Sequence, residues 1–155
     1  MPPRRSDNRT LNLLDWQPPR PIPAYPEEKV RAATIGARIS KAVSLSLSEA
    51  KDGGTKLERE DIARRMADYL GEDVSSNMLN AYASESRDAH NISVIRAVAM
   101  MIATGDYRLF NLMAEHLGLT VIDKKYETVV EEAQTAELIE ELQQRLGDLR
   151  RRRKQ

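Results

Sequence analysis

The stretch DIARRMADYLGEDVSSNMLNAY, residues 61–82, decides the fold. Ile62, Ala63, Met66, Ala67, Tyr69 and Leu70 suit one buried face of a helix that begins near Glu58. Asp61, Arg64, Arg65 and Asp68 take its other sides. Gly71 supplies a C-cap. Glu72, Asp73 and Val74 then form a short turn with an apolar residue at its end. Ser75 or Ser76 caps a second helix, predicted from Ser76 to about Ser84, with Met78, Leu79 and Tyr82 as its packing side chains. An amphipathic helix, a short turn and a second polar-tipped helix make a helix-turn-helix candidate over residues 59–86.

Such a unit can seat its second helix in the major groove of double-stranded DNA. Ser76, Asn77 and Asn80 are the candidates for base contact, because asparagine matches the edge of adenine and serine suits a base or a phosphate. Ser75 and Arg87 are candidates for phosphate contact. The alternative is an ordinary helix hairpin inside an all-helical bundle. Charge bears on the choice. Residues 56–90 hold five basic and eight acidic side chains, a net charge of −3. A DNA-facing surface would therefore draw basic residues from elsewhere: Arg4 and Arg5 near the N-terminus, Arg31, Arg38 and Lys41, and Arg151, Arg152 and Arg153 near the C-terminus.

The whole chain has 155 residues, with 24 basic and 24 acidic side chains, and no cysteine. A disulfide framework, a cysteine-ligated zinc and an iron–sulfur cluster are excluded. No run approaches the roughly 18 apolar residues of a membrane span, and the opening MPPRRSDNRT has no apolar stretch behind its basic residues. A cytoplasmic protein without membrane contact is expected.

All seven prolines fall within residues 1–26. Proline blocks helix interiors and central strands, so this part is an extended arm and the rest is free to be helical. The arm carries a small apolar cluster, Leu11 to Trp16, that covers a patch on its own domain, docks on a protein partner, or belongs to an unstructured arm. Residues 27–122 read as a helical domain and 123–155 as a charged helix with a basic tail. Within the domain, Glu27 to about Ala50 is predicted as one long helix, ended by Gly53 and Gly54. Ile92–Ala103 is expected to be the most buried helix, capped by Ser93 or Asn91. Asp106 caps another over Tyr107–Leu117, stopped by Gly118. Leu119–Ile122 is short and suits an edge strand or an extended cover.

The last segment is acidic first and basic last, which complements a helix dipole. Ile139, Leu142, Leu146 and Leu149 follow the 3-4-3 spacing of a coiled-coil seam over about two heptads. A homo-oligomer, dimer or tetramer, built through this helix is expected; the alternative is a lone helix packed on its own domain.

Catalytic chemistry finds no anchor. His90 and His116 are the only histidines, and neither lies in a His-Glu-x-x-His spacing. No serine sits in a Gly-x-Ser-x-Gly elbow. The chain reads as a non-enzyme with no metal and no cofactor.

Residues 61–118 resemble small phage and prophage regulatory proteins. The resemblance rests on Ser76-Asn-Met-Leu-Asn-Ala-Tyr, on His90-Asn-Ile, and on Ala103-Thr-Gly-Asp-Tyr-Arg-Leu-Phe-Asn-Leu-Met-Ala-Glu-His-Leu-Gly. Similar proteins include the CII-type regulators in the broad sense and related small proteins of Mu-like phages. The resemblance implies an all-α fold, a helix-turn-helix, operator or promoter binding, transcription regulation, and assembly through helices. Carried over residue by residue, it marks Ser76, Asn77 and Asn80. A second function class stays open, a non-enzymatic all-helical assembly or adaptor protein in which the arm and the last helix make protein contacts.

Overall fold

The computed structural model describes residues 21–85 and 91–153. Arg4, Arg5 and the Leu11–Trp16 cluster lie outside the described residues, as do Arg87 and His90. The chain divides into two compact units. One is Ile22–Val121; the other includes Pro21 and Ile122–Arg153. The described residues form seven α-helices, and the fold is all-α.

The first unit begins with an extended segment that leads into α1 (Glu27–Val30), a single turn, and then α2 (Ile35–Asp52). One continuous helix over 27–50 was expected; the chain breaks it at Arg31–Thr34. Thr34 is extended, with φ −125° and ψ 156°, and its hydroxyl accepts a hydrogen bond from the Ala37 amide at 3.1 Å. A β-branched residue with a capping oxygen favours this start over a helix interior. The break lets Val30 become fully buried. Arg38 donates to Glu27 at 2.8 Å and Lys41 donates to the Arg31 carbonyl at 2.7 Å, so α2 side chains hold the corner.

The end of α2 is closed by its own loop. The Ala50 carbonyl accepts from the Thr55 hydroxyl at 2.8 Å and from the Leu57 amide at 2.9 Å. Lys56 takes a left-handed conformation there, with φ 46°. The third helix, α3 (Arg59–Leu70), starts at Glu58, whose amide donates to Asp61 at 3.3 Å. It stops at Gly71, φ 70°, as its sequence required.

Next come α4 (Ser76–Tyr82), α5 (Val94–Thr104) and α6 (Arg108–Glu115). Ser93 caps α5 through the Arg96 amide. α3 packs along α5; α4 sits against α3 and α2; α6 sits against α2. Leu47, Ile62, Met66, Leu79, Met100 and Leu109 are the largest fully buried side chains. Met66, Met100 and Met101 are core filler, as their flexible side chains suit.

α5 has the largest share of buried residues among the described helices, as its composition predicts, but they lie on one side of it. Ala97, Ala99, Met100, Met101 and Ala103 are buried, but Val94 is 64% exposed, Ile95 69% and Ile102 48%. A helix apolar on nearly every side still buries only what its neighbours cover, chiefly α3 and in part α2.

Leu119–Ile122 forms no strand. Buried Asn111 holds the segment instead: its side-chain oxygen accepts from the Val121 amide at 3.0 Å. The Ile22 amide donates to the Val121 carbonyl at 2.8 Å, and a single antiparallel bridge joins Pro21 to Ile122. Proline has no amide hydrogen with which to extend the ladder.

In the second unit a 3-10 turn, Lys124–Tyr126, leads into α7 (Glu127–Arg152). Its 26 residues make a rod of roughly 39 Å. None of them is buried. The described helices include none long and apolar enough to cross a membrane.

Candidate nucleic-acid interface

α4 is set in place by what it buries. Leu79 is fully buried and Tyr82 nearly so, which fixes the inner face of a seven-residue helix and turns Asn77 and Asn80 outward. Ser75 is the N-cap: its hydroxyl accepts from the Met78 amide at 3.3 Å. Ser76 is half-buried, while Ser75, Asn77 and Asn80 are exposed. The turn Gly71–Ser75 has five residues and is anchored inward by Val74, which packs on the core.

A clamp from α5 holds this arrangement. The Arg96 guanidinium donates from Nε and Nη2 to one Glu72 oxygen, at 3.1 and 3.0 Å, and from Nη1 to the Tyr82 hydroxyl. It thereby ties the turn and the end of α4 to α5. In sequence Arg96 was only a charge interrupting an apolar helix; nothing in the local pattern indicates that it reaches across to residues 14 and 24 positions away.

Asn80 is not a free reader. Its side-chain oxygen accepts a hydrogen bond from Arg59, the first residue of α3. Bidentate recognition of adenine uses an amide hydrogen and the carbonyl oxygen; Arg59 takes one of the oxygen's two lone pairs, so Asn80 would read a base while its orientation is held by Arg59. Asn77 carries no such tie to Arg59. Arg59 and Asn80 line a hollow together with Ser48, Lys51, Glu58 and Ser76.

The charge around α4 is mixed and largely paired. Lys51 contacts Glu58 at 3.1 Å, Arg64 contacts Asp61 at 2.6 Å, and Arg65 donates to the Ala103 carbonyl at 3.1 Å. Arg151, Arg152 and Arg153 are exposed at the end of α7, in the other unit, with Arg151 3.1 Å from Asp148. Ile139, Leu142, Leu146 and Leu149 are 50%, 54%, 47% and 55% exposed, so the predicted seam is solvent-facing in the single chain.

A second polar cluster was not foreseen. The Ser46 hydroxyl donates to Asp106 at 2.6 Å, so the Tyr25 hydroxyl, also 2.6 Å away, donates to Ser46. Arg108 donates to both Asp106 oxygens at 2.8 and 2.7 Å, reaches Glu49, and lies 4.5 Å above the Tyr25 ring. Burial pushes the Tyr25 hydroxyl well above its ordinary pKa. Burial alone would raise Asp106 too, but the hydrogen bonds from Arg108 and Ser46 outweigh it and hold the carboxyl below the ordinary range. Ser46 is 1% exposed and has no histidine partner in the cluster, so the group is a fastener joining the entry segment, α2 and the start of α6. Asp106 also accepts from the Arg108 amide at 3.1 Å, but it stands one residue before the N-cap: the helix predicted over Tyr107–Leu117 with Asp106 as its cap is Arg108–Glu115 with Tyr107 at the N-cap position.

No match is found among curated proteins or among solved structures. Residues 56–154, from the loop before α3 through α7, match the model of the family described as phage regulatory protein CII (CP76). The match takes in α3, the turn, α4 and the Arg96 clamp, and it extends well beyond the segment whose residues carried the resemblance. The chain therefore belongs to the phage regulatory protein CII family.

Proposed function

We propose that the protein is a sequence-specific double-stranded DNA-binding regulator of transcription, of phage or prophage origin, that works in the cytoplasm as a homo-oligomer. The observation that carries this reading is the outward placement of Asn77 on a capped short helix, clamped to its neighbours, in a chain of a phage regulatory family. Asn77 is the leading base contact, with Ser76 and the amide of Asn80 beside it. Ser75 sits at the same helix start, where phosphate oxygens are favoured. Arg87 supplies a phosphate contact beyond α4, and Arg4, Arg5 and Arg151–Arg153 supply those that the acidic middle lacks. Binding of a dimer to two half-sites requires its two α4 helices to reach successive major-groove faces, about 34 Å apart.

The test is a salt titration of the full chain on a pool of phage-type promoter fragments. Selective binding that weakens steeply with salt supports the reading. Asn77→Ala should lower affinity for the selected site by about 1–3 kcal/mol, the cost of one lost bidentate pair. No binding to any fragment at low salt, with a stable oligomer, sinks it. The excess of acids over bases in residues 56–90, and the pairing of Lys51 and Arg64 with acids, favour the second reading in that event: an assembly or adaptor protein whose contacts are made by α7 and the N-terminal arm.

A further inference from the structure

α7 divides its charge sharply. Residues 127–144 contain six glutamates and no basic side chain; residues 145–153 contain five arginines against Asp148 alone. The exposed seam Ile139–Leu149 lies where the two halves meet. Continued in heptads, its outer core positions are Glu132 and Thr135 on one side and Arg153 on the other.

A parallel pair of such helices would fail at both ends. Equal positions meet in a parallel pair, so Glu132 would face Glu132 and Arg153 would face Arg153 in the core layers, and Arg145 would face Arg150 on both flanks. Like charges held in a seam that excludes water repel strongly, because screening is weakest there. Reversing one helix removes these clashes. Core layers then pair Ile139 with Leu149 and Leu142 with Leu146, and Arg153 meets Thr135. The arginine-rich end, residues 145–153, then lies along residues 135–143 of the other helix, which carry Glu137, Glu140 and Glu141 and no basic side chain, and the helix dipoles oppose favourably. One like-charge approach remains, between the two Arg145 side chains beside the centre.

We propose that α7 pairs with α7 of a second copy in antiparallel orientation, centred near Gln144. This rests on the reading above that the protein is a homo-oligomer built through α7, and adds the direction and register of the pairing.

The chain has no cysteine, so single introduced thiols report the orientation. Thr135 and Arg153 are both exposed, and substitution there leaves the folded core untouched. Full-length Thr135→Cys and Arg153→Cys proteins are treated with a short bis-maleimide, separately and mixed, with the mass of each sample measured by sedimentation. In an antiparallel pair two copies of residue 135 stand roughly 27 Å apart, beyond the linker. The expected result is a cross-linked dimer from the mixture only. Cross-linking of each variant with itself overturns the orientation but leaves the oligomer standing. An oligomeric mass without cross-links overturns pairing through α7. A monomeric mass at all concentrations overturns both this proposal and the oligomer reading.

Discussion

The Arg96 guanidinium grips one carboxylate oxygen of Glu72 with two of its nitrogens, at 3.1 and 3.0 Å, although the two residues lie 24 positions apart. With its bond to Tyr82, this makes Arg96 the link through which α5 fixes the turn and α4. The charged partners are partly exposed, Arg96 27% and Glu72 53%, so the ion pair itself is screened.

Arg96→Met should therefore cost only about 1 kcal/mol, lowering the melting temperature by roughly 4–8 °C for a domain of this size. The local effect should be larger than the global one. Amide hydrogen exchange in residues 72–82 should accelerate more than in α2, measured by mass spectrometry. Uniform acceleration through the whole domain would show that Arg96 is not a local clamp.

Asp106 gives the domain an acid-sensitive fastening. Its folded pKa lies below the unfolded value, so its contribution is complete above the ordinary aspartate pKa of about 3.9 and is lost as pH falls through the folded value. Asp106→Asn should cost about 2–3 kcal/mol at pH 7, the scale of lost charge-assisted hydrogen bonds. In urea unfolding near pH 3 the gap between the two proteins should narrow. A gap independent of pH would contradict the assignment.

Tyr25→Phe tests the outer end of the same cluster. It removes a donor to Ser46 but keeps the ring beneath Arg108, so a loss of about 1 kcal/mol is expected, without the acid dependence of Asp106→Asn. Unfolding curves at the same two pH values decide it.

Lys56 holds a left-handed backbone that costs a side-chain-bearing residue roughly 1–2 kcal/mol. Lys56→Gly should raise stability by about 0.5–1 kcal/mol, while Lys56→Ala should not, because alanine keeps the Cβ. Thermal unfolding of the two variants side by side gives the answer.

Three substitutions in and around α4 separate folding from recognition. Leu79→Ala should cost about 2–5 kcal/mol through the cavity it leaves. Ser75→Ala should cost about 1 kcal/mol as a lost N-cap. Asn77→Ala should change stability by no more than about 0.5 kcal/mol, as an exposed side chain. Chemical denaturation checks all three. Any loss of DNA binding by Asn77→Ala then reports a contact and not a damaged fold.

Much of the helical plan was legible because it follows from single residues and short periods. Gly71 ended α3 and Ser93 started α5, each through a local hydrogen bond that needs no distant partner. The family resemblance was legible for the same reason: its residues lie in continuous segments within 61–118, and the family match over 56–154 includes them. The break at Arg31–Thr34 was less so. Apolar spacing runs on across it, and the decision came from Thr34 capping and from burying Val30, a choice between two locally acceptable paths.

The sequence by itself determined most of the helical segments, the stop at Gly71 and the starts at Ser75 and Ser93, and that charge is segregated along α7, since these depend on conformational preference and spacing alone. Only the tertiary structure decided how those helices use their side chains. It turned one face of α5 outward, committed the Asn80 oxygen to Arg59, and brought Arg96 to Glu72 and Tyr25 and Ser46 to Asp106. Such contacts join residues 14 to 60 positions apart, and their formation depends on which helix faces pack together, a property that no local pattern encodes.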